Sequence, residues 1–127
     1  MGADGMMRNL FAGVNVPGNP DNLTDLEKRH VPSLFAPPAA RKDEFFPVTV
    51  EVGMSLAHPN DRGHFVQFID LFADQVFLLR VDLTPGTVAP KVTVHVALSA
   101  PAQKLRALAR CNLHGLWAGE TDAPSIS

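Results

Sequence analysis

A single cysteine, Cys111, stands in a chain of 127 residues, so no internal disulfide can form and the fold draws nothing from an oxidising compartment. Neither sign of charge is in large excess. A formal net charge of −2 argues against a general electrostatic affinity for nucleic acid or membrane surfaces. No apolar run approaches the roughly 18 residues needed to span a bilayer. Met1 to Pro20 lacks a basic region followed by a sustained apolar stretch and a cleavage site, and is read as carrying no secretory leader. No repeat or low-complexity segment is evident. The expectation is a soluble, cytoplasmic protein.

What is present fits one domain. Hydrophobic residues make up 46 % of the chain, enough for a real core, and 11 prolines and 9 glycines favour short elements joined by turns over long helices. Residues 1–25 are rich in Gly, Asn and Pro without a period and read as an extended arm. Asp25 to His30 is a short polar stretch of about one helical turn. Ser33 to Ala40 contains Pro37 and Pro38 and reads as a loop. Beyond it the period is two. Val48, Val50 and Val52 alternate with polar residues or glycine, as in a half-buried strand. Phe65–Phe72 is apolar in both phases and predicts a central strand covered on two sides. Gln75–Leu83 places Phe77, Leu79, Val81 and Leu83 on one face, and Val92, Val94, Val96 and Leu98 share another. The composition of Lys104–Arg110 suits a helix as well as a strand; the spacing of Leu105, Ala107 and Ala109 decides for a strand, with Cys111 continuing its inward phase. Together these predict an all-β chain, an antiparallel β-sandwich.

The chemistry-bearing residues fall in short clusters. Cys111-Asn112-Leu113-His114-Gly115-Leu116-Trp117 places a histidine three residues after the cysteine. His58 and His64 flank the loop Pro59–Gly63, and His30 precedes Val31-Pro32. A thiolate with imidazoles suits iron, zinc or copper better than magnesium or calcium. A tight loop at a strand end could bring Cys111 and His114 to one ion, with Gly115 relieving the backbone. Any one of these histidines taken alone is ordinarily a surface or hydrogen-bonded residue, and a lone cysteine is ordinarily an apolar filler. His95, in mid-strand and in phase with Thr93, is read that way and left out. Cysteine-dominated zinc-finger frames are excluded, since Cys111 is the only cysteine.

The motifs resemble those of the superoxide reductases. The run Cys111–Trp117 looks like their C-terminal signature, His58-Pro59 with His64 like their second motif, and His30-Val31-Pro32 like their first. Order and rough spacing agree from residue 27 to residue 117. The resemblance is to the short, neelaredoxin type, similar to the iron domain of desulfoferrodoxin but without an N-terminal rubredoxin-like centre. It implies an immunoglobulin-like β-sandwich, a single domain over residues 1–127 carrying one mononuclear non-haem iron. His30, His58, His64 and His114 would bind in a plane and Cys111 on one axis, with the opposite axis open in the ferrous state. It further implies one-electron reduction of superoxide to hydrogen peroxide, a small electron donor such as rubredoxin, and a homo-oligomer, dimer or tetramer.

One departure stands out. The family's first motif usually reads Glu-Lys-His-x-Pro, whereas this chain reads Glu27-Lys28-Arg29-His30-Val31-Pro32. In the family that glutamate caps the open iron position after oxidation and the lysine attracts superoxide. Here Lys28 takes the glutamate's place and Arg29 the lysine's. Either Glu27 still reaches across a one-residue shift, or the carboxylate cap is missing; the second is the expectation. Lys28, Arg29 and Arg62 would make the mouth of the site positive, although Arg62 suits a solvated loop equally well.

Competing readings are a mononuclear iron dioxygenase using two histidines and a carboxylate, a zinc- or iron-binding β-sandwich without reductase activity, and a metal-free immunoglobulin-like binding module. Leu116 and Trp117 suit an apolar docking patch beside the metal, or the core.

Overall fold

The computed structural model describes residues 9–127, so the first eight residues of the arm expected at 1–25 lie outside the described residues. The rest is built from short strands and one helix. They are β1 (Val14–Asn15), α1 (Asp25–His30), β2 (Pro32–Phe35), β3 (Ala39–Ala40), β4 (Phe46–Val52), β5 (Val66–Ala73), β6 (Val76–Asp82), β7 (Lys91–Val96), β8 (Lys104–Cys111), β9 (Gly115–Asp122) and β10 (Ser125–Ile126). A five-stranded sheet runs β1-β9-β8-β5-β6, a three-stranded sheet runs β2-β4-β7, and β3 pairs with β10. The long pairings are antiparallel; only the two-residue contacts of β1 with β9 and of β3 with β10 are parallel. Among the described residues, no helix is long and apolar enough to cross a membrane.

The core lies between the two larger sheets. Val48 and Val50 of β4 face Ile69 and Leu71 of β5 and Leu105 and Ala107 of β8 across it, all of them almost wholly buried. Each large aliphatic side chain buried in this way contributes about 1.5–3 kcal/mol. The period-two reading of Lys104–Arg110 holds: Leu105, Ala107, Ala109 and Cys111 form the inward row of β8. The sandwich closes where the Pro32 backbone packs directly on Gly119, so tightly that a side chain there would fall on the Pro32 carbonyl.

Two expectations are corrected, and one strand was not anticipated. Pro32–Phe35 is a strand, although Ser33–Ala40 reads as a loop; β2 sits at a sheet edge, where a proline at its first position forfeits little. Gly115–Asp122 is also a strand, one that the alternation of apolar residues does not announce because small residues occupy both of its phases. Finally, Phe77 does not share the inward face with Leu79 and Val81. A bulge shifts the register, pairing Leu71 with Leu79 but Phe72 with Phe77, so the Phe77 ring turns outward to meet Phe72 edge-on.

Candidate metal centre

Three segments bring the candidate ligands to one end of the sandwich. Helix α1 begins with a capping box: the Thr24 hydroxyl accepts from the Glu27 amide, and Glu27 Oε1 accepts from the Thr24 amide at 2.9 Å. His30 ends this helix, and its Nδ1–H donates to the Leu26 carbonyl at 2.7 Å. His58 lies in the loop after β4, and its Nδ1–H donates to the Pro59 carbonyl at 2.6 Å. His64 is set by the turn in which Asp61 Oδ1 accepts from the Gly63 and His64 amides. Cys111 ends β8 and His114 ends the three-residue connection to β9, in which Gly115 carries a φ of 80°. Hairpins of this length commonly end on such a left-handed residue.

The four histidines form a closed circuit. Ring centroids are 4.8 Å apart for His30 and His58, 4.9 Å for His58 and His64, 5.0 Å for His64 and His114, and 4.9 Å for His114 and His30. Ligand atoms of His30, His58, His64 and Cys111 all lie within 4.8 Å of one another. Metal–donor bonds of about 2.0–2.3 Å place opposite donors roughly 4.2 Å apart, so small movements would seat an ion. His114 Nδ1 joins them, 3.2 Å from His30 Nε2 and 3.6 Å from Cys111 Sγ. Cys111 Sγ is 3.2 Å from His58 Nε2. Because carbonyls hold the Nδ1 protons of His30 and His58, the Nε2 lone pairs of both rings point inward. His64 Nε2 is buried and makes no hydrogen bond. A buried nitrogen with no hydrogen-bond partner, beside converging lone pairs and a thiol, is a donor set that fits a transition metal such as non-haem iron. The clustered donors include no carboxylate, contrary to the dioxygenase pattern.

Electrostatics prepares these groups for a cation. Burial, opposed by the Leu26 bond and reinforced by the neighbouring histidines, lowers the pKa of His30 to about 4. Burial likewise lowers His58 and His114. These rings are neutral at pH 7 and available as ligands. Burial pushes the Cys111 thiol up, against the backbone hydrogen bonds from Leu113 and His114, so a metal bound there would have to displace that proton. A stability consequence follows from the direction of the histidine shifts. An unfolded histidine titrates near 6.5, folded His30 near 4, so acid protonates the unfolded chain first. The metal-free protein should therefore lose stability as pH falls from about 6.5 through about 4. Urea midpoints of chelator-treated protein at stepped pH would register the loss, and a flat profile would contradict it.

The remaining expected residues are placed differently. Glu27 is buried, and both of its carboxylate oxygens are engaged at the backbone, Oε1 by the Thr24 amide and Oε2 by the Gly18 amide at 3.0 Å. The carboxylate thus ties the arm to the helix start. Lys28 is half-buried, while Arg29 and Arg62 are exposed. Arg29 Nη1 donates to the Ala57 carbonyl at 2.8 Å, holding its charge beside His58. His95 stands exposed on β7 opposite Pro47, apart from the cluster. Sequence reasoning overlooked Asn112. Its Oδ1 accepts from the Phe65 amide at 2.9 Å and its Nδ2 donates to the Gly63 carbonyl at 3.0 Å, which binds the Cys111–His114 loop to the His64 segment. Its position inside the Cys-x-x-His run was the available signal.

The sequence model of the desulfoferrodoxin family matches residues 22–120. The chain belongs to that family. It is 35 % identical over 104 residues to a putative superoxide reductase of Methanocaldococcus jannaschii, an alignment covering 78 % of this chain and 85 % of that protein. Neelaredoxin of Megalodesulfovibrio gigas is 32 % identical over 108 residues, covering 71 % of this chain and 82 % of the relative. Among solved structures, the superoxide reductase (neelaredoxin) of Ignicoccus hospitalis superposes with a TM-score of 0.76 at 30 % identity, covering 90 % of this chain and 95 % of that one. The family match thus covers the three-stranded sheet, the longer strands of the five-stranded sheet and the loops that carry the candidate ligands.

Proposed function

We propose that the chain is a superoxide reductase, converting superoxide to hydrogen peroxide with one electron and two protons and without releasing dioxygen. The site would hold one mononuclear non-haem iron per chain, through Nε2 of His30, His58 and His64, Nδ1 of His114, and the sulfur of Cys111. The observation that carries this reading is the closed circuit of four imidazoles around a thiol, with a buried, unpaired His64 Nε2. Relatives that bear the name superoxide reductase support it. Iron held by these residues would supply the electron. The chain's own residues do the rest: burial keeps His30, His58 and His114 neutral, and Cys111 donates density as a thiolate. The charges of Arg29 and Lys28 draw the small anion to the mouth. Glu27, committed to the Thr24 and Gly18 amides, does not act as a carboxylate cap. Re-reduction falls to a small electron-transfer protein such as rubredoxin, and the working form is a cytoplasmic dimer or tetramer.

Metal analysis with stoichiometry tests the reading. Reduced protein with one iron per chain should yield one peroxide per superoxide with no dioxygen evolved. Zinc as the only metal bound, or dioxygen evolution, would overturn it. Steering has its own test. Arg29→Glu should slow the reaction with superoxide by about tenfold at low ionic strength, the difference shrinking as salt screens the field. Stopped-flow rates that keep both their value and their salt dependence would remove Arg29 from the mouth.

A further inference from the structure

Trp117 is the only tryptophan, and it is fully buried in β9. Burial alone would make it a core residue, but its ring and its N–H both reach candidate ligands. Its ring stacks on His30, centroids 5.0 Å apart and planes inclined by 25°. The other rings around His30, those of His58 and His114, meet it edge-on at 89° and 77°. Trp117 Nε1–H donates to the His114 carbonyl at 2.9 Å. One rigid side chain therefore touches the ring of one candidate ligand and the backbone of another. These two come from opposite ends of the sequence, His30 from α1 and His114 from the β8–β9 connection.

We propose that Trp117 is a positioning residue of the metal centre: its indole fixes the plane of the His30 ring by stacking and pins the His114 loop by its N–H. The inference rests on the metal-binding reading of the site. Neither contact supplies a donor to the ion. Both remove freedom that two ligands would otherwise lose on binding, which is how groups around a metal's ligands raise affinity, with typical losses of about 10–100-fold when one is changed. Stacking of aromatic rings adds about 0.5–1.5 kcal/mol beyond area burial. An apolar residue of similar size would fill the core equally well but leave the His114 carbonyl unpaired.

The test uses chelator-stripped full-length protein titrated with Co²⁺, read by the thiolate-to-cobalt and ligand-field absorption bands and by competition with a chelator of known affinity. Trp117→Phe should weaken Co²⁺ binding by about tenfold or more and alter the ligand-field bands. Val48→Ala, a cavity in β4 of the other sheet, should lower thermal stability yet leave affinity within about twofold and the bands unchanged, because Val48 belongs to a core cluster that includes no candidate ligand. Trp117→Phe protein with wild-type affinity and wild-type bands would overturn the proposal. If Trp117→Phe does not fold, protein carrying 3-benzothienylalanine at position 117, with sulfur in place of the ring N–H, keeps the shape and the stack. Weaker binding there supports the pinning of His114, and unchanged binding overturns it. Wild-type protein that binds no Co²⁺ would overturn the metal reading itself, an outcome visible before any variant is compared.

Discussion

Cys111→Ser is expected to abolish superoxide reduction and to erase the thiolate-to-iron band of the oxidised protein. The sulfur is buried, 3.2 Å from His58 Nε2 and 3.6 Å from His114 Nδ1, so bulk solvent does not reach it to stand in for it. A serine hydroxyl has the same shape but holds its proton far more tightly and is a hard donor, poorly matched to the ions that a mixed imidazole and sulfur site selects. The loss of metal affinity should exceed the roughly 10–100-fold typical of changes in groups surrounding the ligands. The fold should survive, because the exchange leaves the inward row of β8 almost unchanged in volume. Circular dichroism, metal content and the visible spectrum measured together decide the case: an active variant with unchanged colour removes Cys111 from the centre.

Gly115→Ala is expected to be the most damaging replacement of a glycine by alanine among the described residues. Its φ of 80° lies in the left-handed region, and the added Cβ would fall on the Leu10 carbonyl oxygen and within 2.8 Å of the Leu10 carbonyl carbon. Backbone strain of this kind costs about 1–3 kcal/mol and overpacking a further 1–3 kcal/mol. Gly13 provides the comparison, since its φ is 73° but nothing lies within 4 Å of the added carbon. Gly13→Ala should therefore pay only for conformation, while Gly115→Ala should lower the melting temperature by roughly 10 °C and, by displacing His114, weaken metal binding too. Equal melting temperatures for the two variants would show that the Leu10 segment yields freely.

Much of this was legible in the chain itself, for physical reasons particular to each element. The row Leu105, Ala107, Ala109 and Cys111 could be read as a strand because its other face is consistently polar or half-exposed. The five candidate ligands could be singled out because they fall together in short clusters that resemble a family's motifs, although each alone is ordinary. What stayed hidden depends on tertiary context. Val14–Asn15 has no period of its own and pairs only because β9 offers Leu116 and Trp117 as an edge. Phe77 turns outward through a bulge, which one extra residue creates without a mark in composition. Glu27 can be read in two ways. Read from the motif it is a candidate cap for a metal; read from Thr24 three residues earlier it is the far half of a capping box, and the structure shows that local bond. Asn112 was passed over because a clamp between two loops becomes visible only when both are in place.

The distance along the chain between the candidate ligands also bears on how the protein is made. His30 lies about 80 residues before Cys111, so at ordinary translation rates roughly 4–16 s separate their synthesis. During that interval the nascent polypeptide offers imidazoles alone, a set without the sulfur that discriminates among metals. Only when β8 has been made and laid beside β5 do the thiol and the early histidines meet. On the proposed reading, metal selection would therefore be a property of the finished polypeptide, and a ribosome that stalls before Cys111 would leave a product unable to choose its metal.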